Sequence, residues 1–322
     1  MPSSGAPTAL LDRLASLAAA RGGILARRDL ESCGFSANEI RGLVRSGALD
    51  HLHRDAYRVP APDDGPWSRY PAAVRAATRS DPTRLLTGPA ALTIHGLPTF
   101  GPQMAIHGGL DARGGSSRRS LISTVAMPPS EQRAVVEGVR VASPARAVLD
   151  TARLTTVVAG VMAADAALRR GLTTPEELGA VLATMRGLGG VARARVCCEL
   201  ADARSESPGE SWSAVVMHEH GIPRPERQHD FYDARGFIGR GDFWWPEARV
   251  VGEFDGRMKY GRGNPSGRPP EDVLWDEKVR EDRLRATGPT VVRWTTTDLR
   301  RPASWIGMLR ARLSEGHERP RI

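Results

Sequence analysis

Three carboxylates fall in two adjacent β-like runs late in the chain: Asp242 in FIGRGDFWW, and Glu253 and Asp255 in RVVGEFDG. Residues two apart on a strand point to the same face, so Glu253 and Asp255 project together, with Asp242 on the neighbouring strand. Like charges held this way raise one another's pKa and repel, which costs folding free energy. A divalent cation removes that cost, and hard oxygen donors suit Mg²⁺ or Mn²⁺. Such a metal polarises a phosphoryl group and helps to ionise an attacking water, the chemistry of phosphodiester hydrolysis.

Only two of the 45 Lys and Arg residues are lysines, Lys259 and Lys278, and both lie close in sequence to the carboxylates. The excess of arginine, with abundant Ala and Gly, has the look of a GC-rich coding sequence and says little about function. A compact ammonium can approach a scissile phosphate where a guanidinium fork is too wide.

The elements that must position these groups read in order. A helix SWSAVVMHEHG starts near Ser211. QHDFYD, FIGRGDFWW and RVVGEFDG give three strands joined by short turns. A Pro/Gly-rich stretch from Gly261 to Pro270 leads to a helix EDVLWDEKVREDRLRATG, then to a strand PTVVRWTTTDL and a closing helix around Trp305 to Leu313. Arg280, Arg283 and Arg285 on the penultimate helix suit DNA phosphates or pairing with Glu281 and Asp282 equally well. Trp244 and Trp245 alternate in and out, so at least one belongs to the core. His218, His220 and His229 with Asp230 imitate a metal site, but the first two lie i, i+2 on a helix and do not share a face, so no zinc site is expected.

The first sixty residues read as helix, helix, turn, helix, hairpin. Leu10, Leu11, Leu14 and Leu17 have helical spacing; Ser36 caps ANEIRGLVRSG, with Glu39 completing a capping box. Ile40, Leu43 and Val44 then face inward and Asn38, Arg41 and Arg45 outward. With ALDHLHRDAYRV as a wing, this is the layout of a winged helix-turn-helix, whose third helix enters a major groove. Residues 60–66, PAPDDGP, read as a linker. From 67 to 203 the chain reads as mostly helical α+β, with short apolar runs near Met104–Ile106 and Val139–Val141. His95 reads as a satisfied core residue. The stretch at 108–119 lacks the ending of a phosphate-binding loop and reads as a basic surface loop.

The 322 residues, 40% hydrophobic and with a net charge of +8, can bury more than one core. Three cysteines make no disulfide framework, and the N-terminus has no basic region followed by an unbroken apolar run, so a cytoplasmic protein with no membrane contact is expected. The fold class expected is multi-domain α/β, divided into 1–60, 67–203 and 204–322.

The stretch GRGDFWWPEARVVGEFDGRMKYGRG with EKVREDRLRATGPTVVRW resembles the domain related to very-short-patch-repair endonucleases, a branch of the PD-(D/E)XK superfamily. The resemblance covers about residues 205–315 and implies a restriction-endonuclease-like αβββαβ core. It implies Asp242 and Glu253 as metal ligands, Asp255 where the signature usually has its lysine, and Lys259 or Lys278 supplying the displaced charge. Glu210 in GESWS resembles the acidic residue often found on the preceding helix. The stretch from Gly22 to Val59 resembles the winged-helix domain of AbiEi-type antitoxins, repressor partners in type IV toxin–antitoxin systems, and implies DNA and a cognate toxin as partners.

Two readings follow. One is a metal-dependent DNA endonuclease with an N-terminal winged-helix reader, in which Asp242, Glu253 and Asp255 hold the metal. The other is a non-catalytic DNA-binding regulator whose C-terminal domain serves for dimerisation or effector binding. Convergence of the three acids on an open basic groove favours the first. Neutralisation of the cluster by arginines favours the second.

Overall fold

The computed structural model describes residues 6–21, 23–53, 55–61, 69–80, 84–101, 105–109, 122–256 and 270–317. The chain is a multi-domain mixture of helices and sheets, and its contacts divide it into two compact units, Met1–Leu154 and Thr155–Ile322.

The first unit opens with α1 (Ala6–Ala20), β1 (Ile24–Ala26), α2 (Arg27–Ser32), α3 (Ala37–Arg45), β2 (Asp50–His53) and β3 (Ala56–Arg58). The strands form an antiparallel sheet in the order β1-β3-β2. The apolar spacing read from the sequence closes a core of Leu14, Leu25, Leu30, Phe35, Ile40, Leu43, Leu49 and Tyr57. The start of α3 is fixed as expected: Ser36 Oγ accepts from the Glu39 N–H, and the Glu39 carboxylate accepts from the Ser36 N–H at 2.7 Å. Two orphan donors of the first turn are thereby satisfied.

Beyond α4 (Arg69–Ser80), the same unit holds a five-stranded mixed sheet, order β6-β5-β4-β8-β7, built from β4 (Leu85–Thr87), β5 (Ile106–Gly109), β6 (Ile122–Val125), β7 (Arg133–Val136) and β8 (Val139–Ala142). Packed with it are α5 (Gly88–Ile94) and α6 (Pro144–Leu154). Buried Asp150 accepts from Arg146 Nε at 2.9 Å, from Arg153 and from the Thr87 hydroxyl, fastening α6 to β4. His95 is held by Ala142 O at 2.8 Å from its Nε2, a structural role.

The second unit starts with α7 (Val157–Arg169), α8 (Pro175–Thr184) and α9 (Val191–Leu200). Then follow α10 (Pro208–Glu219), β9 (Glu226–Asp233), β10 (Gly236–Trp245), β11 (Val250–Asp255), α11 (Pro270–Ala286), β12 (Thr290–Thr295), α12 (Thr296–Arg300) and α13 (Ala303–His317). The sheet order is β12-β11-β10-β9, with β9, β10 and β11 antiparallel and β12 parallel to β11. One face carries Phe243, Trp245, Val250, Val292 and Trp294 against α10, α12 and α13, including Met217, Leu299, Trp305 and Leu309. The other face packs Phe231, Ile238 and Val251 against Leu284 of α11. This alternation fixes which side chains share the face beneath α11.

Asp165 of α7, almost fully buried, accepts from Ser211 Oγ of α10 at 2.7 Å and from the Asp202 N–H at 2.8 Å, and faces Arg227 Nη1 of β9 at 3.4 Å. Burial pushes its carboxyl up, and Arg227 opposes that shift.

Candidate functional site

The strand registers, in which Gly241 faces His229 and Phe243 faces Gly252, place Gln228, Asp242 and Glu253 in one row across β9, β10 and β11. Arg293 of β12 completes it opposite Glu253. Asp242 Oδ2 accepts from the Phe254 N–H at 2.8 Å, and its Oδ1 accepts from Gln228 Nε2 at 3.3 Å. The same Gln228 amide donates to Glu210 Oε2 at 2.8 Å, which also accepts from the Glu206 N–H at 2.9 Å. Thus a neutral amide links two carboxylates from different elements.

Local sequence makes this approach possible. Ser207 caps α10 by accepting from the Glu210 N–H at 3.2 Å, orienting Glu210 in the first turn. Gly209, beside it, lies so close to Phe254 that a Cβ would fall within the ring, so the helix start and β11 can meet only over a glycine. Gln228 itself has φ +55, a conformation that side chains seldom adopt and that costs of order 1–3 kcal/mol. That backbone twist belongs to the residue that joins Glu210 to Asp242.

Burial, then the Glu210 charge, and to a smaller extent Glu253 push Asp242 up to about 6, against the downward pull of the Phe254 N–H and Gln228. Glu253 stands in a different environment. Its Oε1 accepts from Arg280 of α11 at 3.1 Å and its Oε2 from Arg293 at 2.8 Å, while Arg293 also reaches Glu281. The Glu253 and Glu281 partners hold the Arg293 guanidinium well above its ordinary range despite its burial.

The structure therefore brings together Glu210, Asp242 and Glu253 and surrounds the last with guanidiniums. Asp255 is half-buried at the end of β11, in register with Thr295. Lys259 lies outside the described residues, as does nearly all of the loop at 108–119. Lys278 is exposed, its ammonium 6.0 Å from the Trp275 ring centroid. It is two residues from Arg280, roughly 200° around the helix, so it turns away from the sheet that Arg280 contacts. Among the described residues, positive charge next to Glu253 comes from Arg280 and Arg293. Arg280, read from the sequence as a phosphate contact, is half-buried in this ion pair.

These contacts bear on Mg²⁺. Asp242 and Glu210 offer oxygens of suitable chemistry, but both oxygens of Glu253 are engaged by guanidiniums that would repel a dication at contact distance. Among the described residues no group of three or more His, Cys, Asp or Glu could hold a metal ion. As arranged, the Glu253 carboxylate is committed to guanidiniums rather than to a cation.

The other arginines of α11 are paired too: Arg283 donates to Asp233 at 2.7 and 2.9 Å, and Arg285 pairs with Glu281. Trp245 is in the core, and Trp244 packs edge-on against Phe231, with ring centroids 5.1 Å apart. His229 pairs with Glu226 and His220 Nδ1 lies 2.9 Å from Val216 O, so these histidines are engaged locally. Sequence reading missed Gln228 and Arg293. No local signal marks either one: the parallel register of β11 and β12 that sets Arg293 opposite Glu253 is a tertiary feature.

In the first unit, Asn38, Arg41 and Arg45 are all exposed on α3, at spacings of three and four residues, while Ile40 and Leu43 are buried. Arg41 Nη2 donates to Asn38 Oδ1. A single outward face thus carries two cations and an amide, which can pair with phosphates and base edges.

The first unit thus opens with a helical module that has a small antiparallel sheet and a basic outer helix face, and the second is an α/β unit with an arginine-bound acidic row. Residues 12–60 match the AbiEi_4 family model, described as transcriptional regulator, AbiEi antitoxin, so the N-terminus carries the AbiEi antitoxin domain expected of it. The chain is 32% identical over 187 residues to two chains of Mycobacterium tuberculosis, uncharacterized protein MT2308 of strain CDC 1551 / Oshkosh and uncharacterized protein Rv2248 of strain H37Rv. Each match spans 58% of this chain and 65% of the relative. The crystal structure of the RV2827C protein from Mycobacterium tuberculosis aligns with a TM-score of 0.39 and 17% identity, over 70% of this chain and 89% of that one. Among the described residues, no helix is long and apolar enough to cross a membrane.

Proposed function

We propose that this chain is a DNA-binding regulator of AbiEi antitoxin type. In it α3 serves as the recognition helix of a winged helix-turn-helix and the β2–β3 hairpin as the wing. The observation that carries this reading is the exposed face Asn38, Arg41 and Arg45 on a capped, well-packed helix within the residues that match the antitoxin model. Arginine forks read guanine edges or phosphates, and asparagine reads adenine. The order α10-β9-β10-β11-α11-β12 in the second unit supports reading it as a relative of restriction-endonuclease-like cores, and the arginines around Glu253 favour a structural, dimerisation or effector-binding role for it. A cognate toxin protein is the further partner, and the cytoplasm the setting.

The test is mobility shift on the DNA upstream of the chain's own gene. Binding should be lost in Arg41→Ala and Arg45→Ala and retained in Asp242→Ala; equal loss in Asp242→Ala would overturn the division of labour.

A second reading, a metal-dependent DNA endonuclease, is supported by one observation: Asp242 and Glu210 are drawn together through Gln228 and Asp242 binds its proton unusually tightly. Plasmid cleavage by the full chain with Mg²⁺ or Mn²⁺ decides it. Cleavage that disappears in Asp242→Ala and Glu210→Ala would establish the enzyme, and cleavage unaffected by either would reject this site.

A further inference from the structure

Gly42 lies in the interior of α3, and a Cβ built on it would meet nothing within 4 Å. A glycine in a helix interior lowers stability relative to alanine, because it has more backbone freedom to lose on folding. Gly42 has no positive φ, no packed neighbour and no turn to justify that cost. Its position on the helix is informative. Asn38, Arg41 and Arg45 lie four before, one before and three after it, so all four residues belong to one outward strip about two turns long. The three side chains are exposed, and the opposite strip, Ile40 and Leu43, is buried in the core.

We infer that Gly42 is a specificity-determining position of the recognition helix, kept free of a side chain so that the α3 backbone can lie against the floor of a DNA major groove. The inference rests on the DNA-docking reading and deepens it. Asn38 is short, and its amide reaches a base edge only if the helix axis sits deep. Arg41 and Arg45 are long and reach bases or phosphates from a shallower seat. A methyl at position 42 lifts the helix and weakens the Asn38 contact before the arginine contacts. The bond from Arg41 Nη2 to Asn38 Oδ1 orients that amide before DNA arrives. The ligand is therefore duplex DNA read at its base edges, with adenine opposite Asn38 and guanine within reach of Arg41.

Two other helical glycines, Gly179 of α8 and Gly307 of α13, are equally open to a Cβ. Neither sits among the residues of the recognition face, and they serve as controls.

The experiment uses the full chain and a labelled duplex enriched by the wild type from a random-sequence library, with a scrambled duplex beside it. Gly42→Ala should raise the first thermal unfolding transition by about 2–4 °C and weaken binding of the enriched duplex about tenfold, with little change on the scrambled one. Gly179→Ala should raise Tm alone. If Gly42→Ala binds the enriched duplex as well as wild type while Arg41→Ala does not, α3 reads DNA but Gly42 has no part in it, and the inference fails. A fall in Tm for Gly42→Ala would also overturn it, since the glycine would then be demanded by the fold. If wild type enriches no duplex, the DNA reading and this inference fall together.

Discussion

Arg293 lies directly across the parallel β11–β12 register from Glu253, and its Nε donates to Glu253 Oε2 at 2.8 Å. Through its other nitrogen it also holds Glu281 of α11. One side chain thereby ties two strands and the helix above them.

Removal of that tie should be felt as stability. Among the described residues, Arg293→Ala leaves Glu253 with Arg280 and Glu281 with Arg285 as partners. The guanidinium is about one-third exposed (34%), so solvent screens part of the loss. The expected cost is about 1–3 kcal/mol in urea unfolding. Arg293→Lys should recover only part of it, because one ammonium does not present a fork to both carboxylates.

Asp242 should make stability depend on pH in a defined direction. Its folded value of about 6 exceeds that of an unfolded aspartate, about 4. The folded state therefore binds the proton more tightly. The stabilisation from that proton is complete below pH about 4 and is lost as pH rises through about 6. Asp242→Asn should be more stable than wild type above pH 7 by about 1–3 kcal/mol and gain nothing at pH 4. Parallel unfolding profiles for the two proteins across this range would contradict the assignment.

Asp165→Ala leaves Arg227, itself almost fully buried, without its nearest carboxylate and frees the Ser211 hydroxyl and the Asp202 N–H. Loss of one partner of a buried pair costs about 3–5 kcal/mol, and the second unit should unfold well before the first in calorimetry. Asp165→Asn, which keeps an acceptor, should lie between.

Arg45→Ala should reduce the slope of log affinity against log salt by about one where Arg45 contacts a phosphate. An unchanged slope combined with relaxed preference at one base pair would assign Arg45 to a base edge instead.

Local signals carried much of the architecture into the sequence. Ser36 and Glu39 fixed the start of α3, the Leu10 to Leu17 spacing gave α1, and alternation in FIGRGDFWW and RVVGEFDG gave β10 and β11. The common face of Glu253 and Asp255 followed from the strand period, whereas the row that Asp242 shares with Glu253 depends on the β10–β11 register. Strands β4, β6 and β7 were not legible, because three or four residues are too few to show a period. Helix α9, VARARVCCEL, was missed because arginines interrupt its apolar positions. The guanidiniums on Glu253 were illegible for another reason: Arg293 stands 40 residues further along the chain, in a pairing that tertiary structure alone decides.

Gln228 gives the acidic row an evolutionary reading. Its amide is the neutral member that lets Glu210 and Asp242 share one neighbourhood. Exchange for glutamate is a change of one atom group, yet it would turn a shared donor into a third acceptor and oblige the fold to recruit a proton or a cation. The distance between an amide-bridged pair of acids and a cation-demanding one is, at this position, a single substitution.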